Sequence, residues 1–191
     1  MASVPPRILV LGHSFVQRLH KFVLRSHSGL NENFNLSEPI ILKWLGVGGR
    51  TVDKVRHYDM QAVRAFRPDI VILQLGTNDL SAIPPLKVGS DIEELVKLLH
   101  SHYKVKVVVV CQTLRRDSHQ EFNDKVVALN QYTQVFLEHH PFVLFWKHIG
   151  LWNTRESMYL RDGVHLNDRG QLRLYRSFRG AIQQSLRLLN R

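Results

Sequence analysis

Four short segments of this sequence carry residue types whose chemistry is that of acyl transfer. In Gly12-His13-Ser14-Phe15, a hydroxyl stands where an apolar run gives way to a helical pattern. Free amide groups and the helix dipole favour a developing anion at such a place. That setting suits an alcohol attacking a carbonyl, and it suits a simple N-cap serine as well. Asp162-Gly163-Val164-His165 sets a carboxylate three residues before an imidazole. Within one turn it can accept the Nδ1 proton and aim Nε2 at a hydroxyl; read alone, it is also an ordinary loop before a helix. Gly76-Thr77-Asn78-Asp79 offers the Asn78 amide as an oxyanion donor, with Asp79 to brace the loop or cap the next segment, or else an Asx turn. Gly46-Val47-Gly48-Gly49-Arg50-Thr51 can present a bare main-chain N–H to a ligand, or be a plain tight turn. Each segment has a bland reading. Together they supply a nucleophile, a base, a carboxylate to orient the base, and oxyanion donors.

The elements that must position these groups follow from hydrophobic periodicity. Short apolar runs predict strands at Arg7–Leu11, Ile40–Trp44, Asp69–Leu75, Lys106–Cys111 and Phe142–Trp146. Between them, helical spacing predicts helices over Ser14 to about Leu24, Val52 to Phe66, Ser90 to Ser101, and His119 to His140. The Ser90 start rests on a capping box, Ser90-Asp91-Ile92-Glu93. A last helix spans Asp168–Leu189, with Asn167 or Asp168 as its cap. Uninterrupted apolar strands alternating with helices imply a three-layer α/β/α sandwich around a five-stranded parallel sheet, in flavodoxin-like order. Ligands in such folds sit outside the carboxyl ends of the strands. All four segments fall at those ends or before the last helix. The chain shows no repeat, low-complexity tract or long linker, so a single domain over 1–191 is expected.

Composition narrows the classes. An apolar fraction of 44% with 22% charged residues is that of a globular protein rather than a disordered one. No apolar run approaches the roughly 18 to 20 residues that cross a bilayer, and the N-terminus lacks a signal-peptide pattern. Cys111 is the single cysteine, so no internal disulfide forms; it ends an all-valine run and reads as a buried, inert thiol. An intracellular, cytoplasmic setting is the expectation that follows. His100/His102 and His139/His140 are close pairs without a third ligand at metal-site spacing, so neither metal nor cofactor is expected. No G-x-G-x-x-G or Walker pattern follows the first strand, which argues against a nucleotide-binding protein. The formal charge of +10 favours polyanionic contacts, nucleic acid or anionic membrane, as readily as it describes a solvated basic surface.

The four blocks, in this order and at these spacings, resemble those of the SGNH (GDSL-like) hydrolases, over Ile8 to about Leu172. The resemblance implies Ser14 as nucleophile, with Asp162 and His165 completing the triad. It implies an oxyanion hole of the Ser14 N–H, the Gly49 N–H and the Asn78 amide, with Gly48 as the alternative glycine. It also implies metal-free hydrolysis of carboxylic esters, here short acyl or acetyl ones given the apolar Leu80, Ile83, Pro84 and Pro85 beside the site. One position departs from the family pattern: the usual Gly-Asp-Ser is Gly-His-Ser, so His13 replaces a carboxylate. Ile-Leu-Val-Leu-Gly-His-Ser also resembles the esterase-like domains in first-reading-frame proteins of some animal LINE retroelements. A second reading, from His13 and the basicity, is a weakly active or inactive scaffold that binds nucleic acid or another polyanion. Arg169, Arg173, Arg176, Arg179, Arg187 and Arg191 lie in or after the last helix, whose apolar stripe should turn several of them to solvent.

Overall fold

The computed structural model describes residues 4–26, 29–117, 119–151 and 157–190. Strands β1 (Arg7–Gly12), β2 (Ile41–Gly46), β3 (Ile70–Gln74), β4 (Val107–Cys111) and β5 (Val143–Trp146) form one parallel sheet in the order β2-β1-β3-β4-β5. Helices α1 (Ser14–Arg25) and α6 (Asp168–Leu189) cover one face. Helices α2 (Val52–Tyr58), α3 (Met60–Phe66), α4 (Pro85–Ser101) and α5 (Gln120–Leu137) cover the other. The sheet is therefore buried on both sides, and β1, β3 and β4 are apolar nearly throughout. Alternate strand residues feed two separate cores. Ile8, Val10, Ile70 and Ile72 meet Phe15, Leu19 and Phe178 on the α1/α6 side. Leu9, Leu11, Val71 and Leu73 meet Val55, Leu95 and Val126 on the other. Cys111 is buried in the first of these, and burial pushes its thiol well above the usual range.

Two elements differ from the sequence reading. The helix expected over Val52–Phe66 is interrupted at Asp59, which ends α2 and begins α3. Asp59 is 3% exposed and holds Arg50 through a two-pronged ion pair, Nε and one terminal nitrogen each 3.0 Å from a carboxylate oxygen. This tertiary bond, invisible to local periodicity, fixes the break. Helix α4 begins at Pro85, five residues before Ser90. Proline is preset for the first helical position, where its missing N–H costs nothing. Gly89 inside α4 is a close-approach point: a β-carbon there would sit 3.3 Å from the Phe136 ring of α5.

Three features pull the C-terminal edge of the sheet together. A β-carbon on Gly12 would lie 2.5 Å from the Gln74 carbonyl oxygen, and one on Gly46 would lie 2.3 Å from the backbone nitrogen of Gln17. Val47 N–H donates to the Gly12 carbonyl at 3.0 Å. Below these, a buried polar chain ties three strands to α6. Trp146 Nε1–H donates to Ser177 Oγ, whose own hydroxyl donates to His148 Nδ1 at 2.8 Å. His148 Nε2–H then donates to Gln74 Oε1 at 2.8 Å, and Gln74 Nε2–H to the Gln112 carbonyl. Every proton in this chain has one consistent place when His148 is neutral, and burial pushes that imidazole down to about 3.

Two outcomes follow. Gly46→Ala should lower stability by roughly 2 to 3 kcal/mol, because backbone rather than a flexible side chain blocks the added carbon; an unchanged denaturation midpoint would show that α1 can yield. His148 also gives stability a pH dependence. The unfolded imidazole takes a proton below its ordinary value of 6.5, whereas the folded one resists until about 3. Its contribution is thus full above that ordinary value and is lost as pH falls through it. Urea midpoints measured from neutral to mildly acid pH should fall less steeply in His148→Gln, by up to about 1.4 kcal/mol per pH unit. Parallel curves for the two proteins would mean that His148 is not a site of this proton uptake.

Candidate active site

Ser14 is the first residue of α1, and His13, with an extended ψ of −151°, is the N-cap. The His13 ring folds back so that Nδ1 accepts the Phe15 N–H at 3.4 Å, which satisfies one of the helix's orphan amides. The ring is completely buried. Burial first, and the neighbouring His165 second, push it down to about 3, so His13 is neutral at ordinary pH. The cap thus leaves the Ser14 N–H at the open end of the helix, ahead of the helix's own hydrogen-bond ladder.

The segment after β2 is a turn closed by the Arg50 N–H on the Val47 carbonyl at 3.3 Å. Gly49 adopts a φ of +73°, and a β-carbon there would meet nothing within 4 Å. Its glycine is required by backbone conformation rather than by crowding, and that distinguishes it from Gly48, whose φ is not positive. After β3, Asn78 Nδ2 donates to the Arg50 carbonyl at 2.8 Å, which joins this turn to the Asn78 loop and leaves the amide a second hydrogen. Asp79 Oδ1 accepts the Val52 N–H at 2.9 Å and so caps α2 from the neighbouring loop. Burial raises the Asp79 carboxyl despite this bond. Leu80, read as part of an apolar rim, is instead buried in the core at 2% exposure, because the short helical turn Asp79–Ser81 folds it inward.

Asp162 and His165 occupy a tight turn. Oδ1 of Asp162 accepts the backbone N–H groups of Val164 and His165, each at 2.9 Å, and Oδ2 accepts Nδ1–H of His165 at 2.7 Å. These bonds, the His165 amide foremost, hold the Asp162 carboxyl well below the usual carboxylate range although the group is largely solvated. Gly163 sits at a φ of +65° and its carbonyl accepts the Asp117 N–H at 2.7 Å, which fastens the turn to the loop after β4. Tyr159 OH donates to the Arg115 carbonyl at 2.7 Å, a second fastening. Asn167 caps α6 by accepting the Gly170 N–H at 3.0 Å.

The structure brings the two histidine and serine segments to the same place: the His165 ring centroid lies 6.3 Å from that of Phe15, the residue after Ser14. Among the described residues, no hydrogen bond joins the Ser14 hydroxyl to His165. Gly49 and Asn78 stand on the adjoining loops, connected to each other through Arg50.

Sequence reasoning passed over several positioning residues. Asn130 of α5 clamps the end of β4 by accepting the Thr113 N–H at 2.8 Å and donating to the Thr113 carbonyl at 3.0 Å. Asn123 clamps Arg116 in the same two-way manner, and Arg116 lies 3.7 Å over the Phe122 ring. The available signal was a polar residue on a mostly apolar face, Asn130 among Val126, Leu129 and Leu137, and Gln74 at the end of an all-buried strand.

Comparison with known proteins gives the same picture at the level of family and fold. The model of the GDSL-like lipase/acylhydrolase family matches residues 10–173. No curated protein sequence matches the chain. A GDSL-like lipase from Bacteroides thetaiotaomicron is 17% identical with a TM-score of 0.73, over 94% of this chain and 88% of that one. A lipase/acylhydrolase from Enterococcus faecalis is 17% identical with a TM-score of 0.72, over 94% and 96%. An acetyl-xylooligosaccharide esterase from Geobacillus is 16% identical with a TM-score of 0.69, over 96% and 94%. The structural neighbours share the doubly covered parallel sheet, and the family match runs from within β1 to the first turns of α6. The chain belongs to the GDSL-like lipase/acylhydrolase family.

Proposed function

We propose that this protein is a serine esterase that hydrolyses short acyl esters through Ser14, His165 and Asp162. The observation that carries the reading is the Asp162–His165 couple at 2.7 Å, set on a braced turn whose imidazole packs against the first turn of α1, where Ser14 is. Asp162 holds the imidazole with its proton on Nδ1, which leaves Nε2 as the basic nitrogen. Once an ester occupies the site, Nε2 takes the Ser14 proton as Oγ attacks the carbonyl carbon. The hydrogen bond this requires is often long in unliganded enzymes and shortens in the substrate complex. The tetrahedral oxyanion is received by the Ser14 and Gly49 N–H groups and by the second amide hydrogen of Asn78. The imidazolium then protonates the departing alcohol, and the same nitrogen activates water to release the acid.

His13 fits this scheme without a charge. Accepting the Phe15 N–H is the capping task an aspartate side chain would perform, and a neutral ring adds no repulsion when His165 becomes cationic. A short acyl group is favoured by the company of the fold: one structural neighbour is an acetyl-xylooligosaccharide esterase and another an acetyl esterase with acetate ion.

Ser14→Ala should reduce turnover of a chromogenic acetyl ester at least about a thousandfold while the circular dichroism spectrum and unfolding midpoint stay near those of the wild type. Asn78→Ala should cost about a hundredfold in kcat with a small change in KM, since an oxyanion donor acts in the transition state. Undiminished turnover in Ser14→Ala would remove Ser14 from the mechanism altogether.

A further inference from the structure

The net positive charge is concentrated in one of the two helical layers. In α1 the charged residues are Arg18, Lys21 and Arg25, with no acidic residue. In α6 they are Arg169, Arg173, Arg176, Arg179 and Arg187 against Asp168 alone, and Asp168 is taken by Arg25 at 2.8 Å. The opposite layer is balanced: α2 to α5 together carry six acidic and six basic side chains. Several of these neutralise one another, as in Arg56–Glu94, Lys97–Glu93 and Lys125–Glu121. A solvated surface that is basic by drift has no reason to divide its charge by layer.

We propose that the α1/α6 face binds the phosphate backbone of nucleic acid without reading its sequence. Arg173, Arg176 and Arg179 recur every three residues, about 4.5 Å apart along the helix axis, and all three are exposed. Two shallow cavities flank this ridge and share Arg176. One is floored by Trp146 and Ser177, the other by Leu172 and Tyr175. Guanidinium groups around these cavities match the phosphates of a flexible strand, and the half-buried Trp146 is the aromatic on their floor. An anionic bilayer fits the face less well. The apolar stripe of α6 is turned into the core, with Tyr175, Phe178, Ile182 and Leu186 buried, its exposed positions hold no apolar residue, and the exposed apolar side chains of the face, Leu24 of α1 and Ile149 beside Arg173, form no stripe. A helix that lies in a membrane interface needs that stripe free to enter the lipid. The face is built independently of the hydrolase chemistry, since none of its arginines belongs to the proposed triad or oxyanion hole.

The test is fluorescence anisotropy with a labelled single-stranded RNA of about 20 nucleotides, in two unrelated sequences, at about 50 and about 200 mM salt. The wild-type protein should bind both sequences alike and lose roughly tenfold or more in affinity at the higher salt. Arg173→Gln/Arg176→Gln/Arg179→Gln should weaken binding by about tenfold and lower the log–log salt slope by roughly 2, as expected for three lost phosphate contacts on a single strand. Lys87→Gln/Lys97→Gln/Lys125→Gln removes the same charge from the opposite layer and should stay within about twofold of wild type. Should the arginine triple variant fail to fold by circular dichroism, Arg176→Gln/Arg179→Gln serves in its place. Equal weakening by both triple variants would overturn the proposal, because the effect would then be net charge alone. So would absence of salt-dependent RNA binding, and so would arginine-dependent capture by phosphatidylserine vesicles without binding to RNA.

Discussion

The position of Ser14 depends on a close packing of backbone against backbone at the carboxyl edge of the sheet. Gly12 passes the Gln74 carbonyl at a separation that leaves no room for a β-carbon, and Gly46 does the same against the first turn of α1. These contacts draw β1, β2 and β3 together where each strand hands over to its loop. The consequence is that three loops of distant sequence origin share one small space, tied by Val47 to Gly12 and by Asn78 to Arg50. Interiors this dense respond to a single methyl group, so the geometry leaves little room for adjustment. The buried chain from Trp146 through His148 to Gln74 then fixes the strand ends from beneath, using hydrogen bonds whose donors and acceptors are all matched.

Much of this architecture was legible in the residues. Five apolar runs predicted five strands, and their alternation with amphipathic segments predicted the parallel, doubly covered sheet. Local pattern succeeded there because burial on both faces leaves little freedom in residue type. It failed where a contact outside the local periodicity decided the outcome. The break at Asp59 comes from Arg50, and the early start of α4 comes from Pro85 combined with a glycine that α5 needs for close approach. In the site, the residue types named the segments, and the spacing of Asp162 and His165 allowed the turn that the structure shows, without excluding an ordinary loop. The clamps made by Asn130, Asn123 and Tyr159 were not readable, since a lone polar residue does not announce which carbonyl it will meet.

The charged and neutral groups of the site are set by opposite means. Asp162 stays ionised although solvent reaches it, because three hydrogen bonds favour its charged form. His13 stays neutral because its ring is out of water and beside another imidazole. A carboxylate at position 13, the usual arrangement in this family, would place a fixed negative charge near His165. The histidine keeps the capping bond and omits that charge. Carboxylate contact to the His165 imidazole therefore comes from Asp162 on one side only.

The layer that carries the positive charge is also the layer that reaches the site. Helix α1 begins at Ser14 and α6 begins three residues after His165, so both present their positive dipole ends to the same edge of the sheet. Exposed arginines along their outer sides extend that field away from the site across the whole face. An anion approaching the protein meets its strongest attraction on this side. Screening limits the reach to about 8 Å at physiological salt, so the field acts on what is already close to the face. The two helices thereby present two different surfaces: their N-termini meet at the candidate site, and their solvent sides carry the arginines.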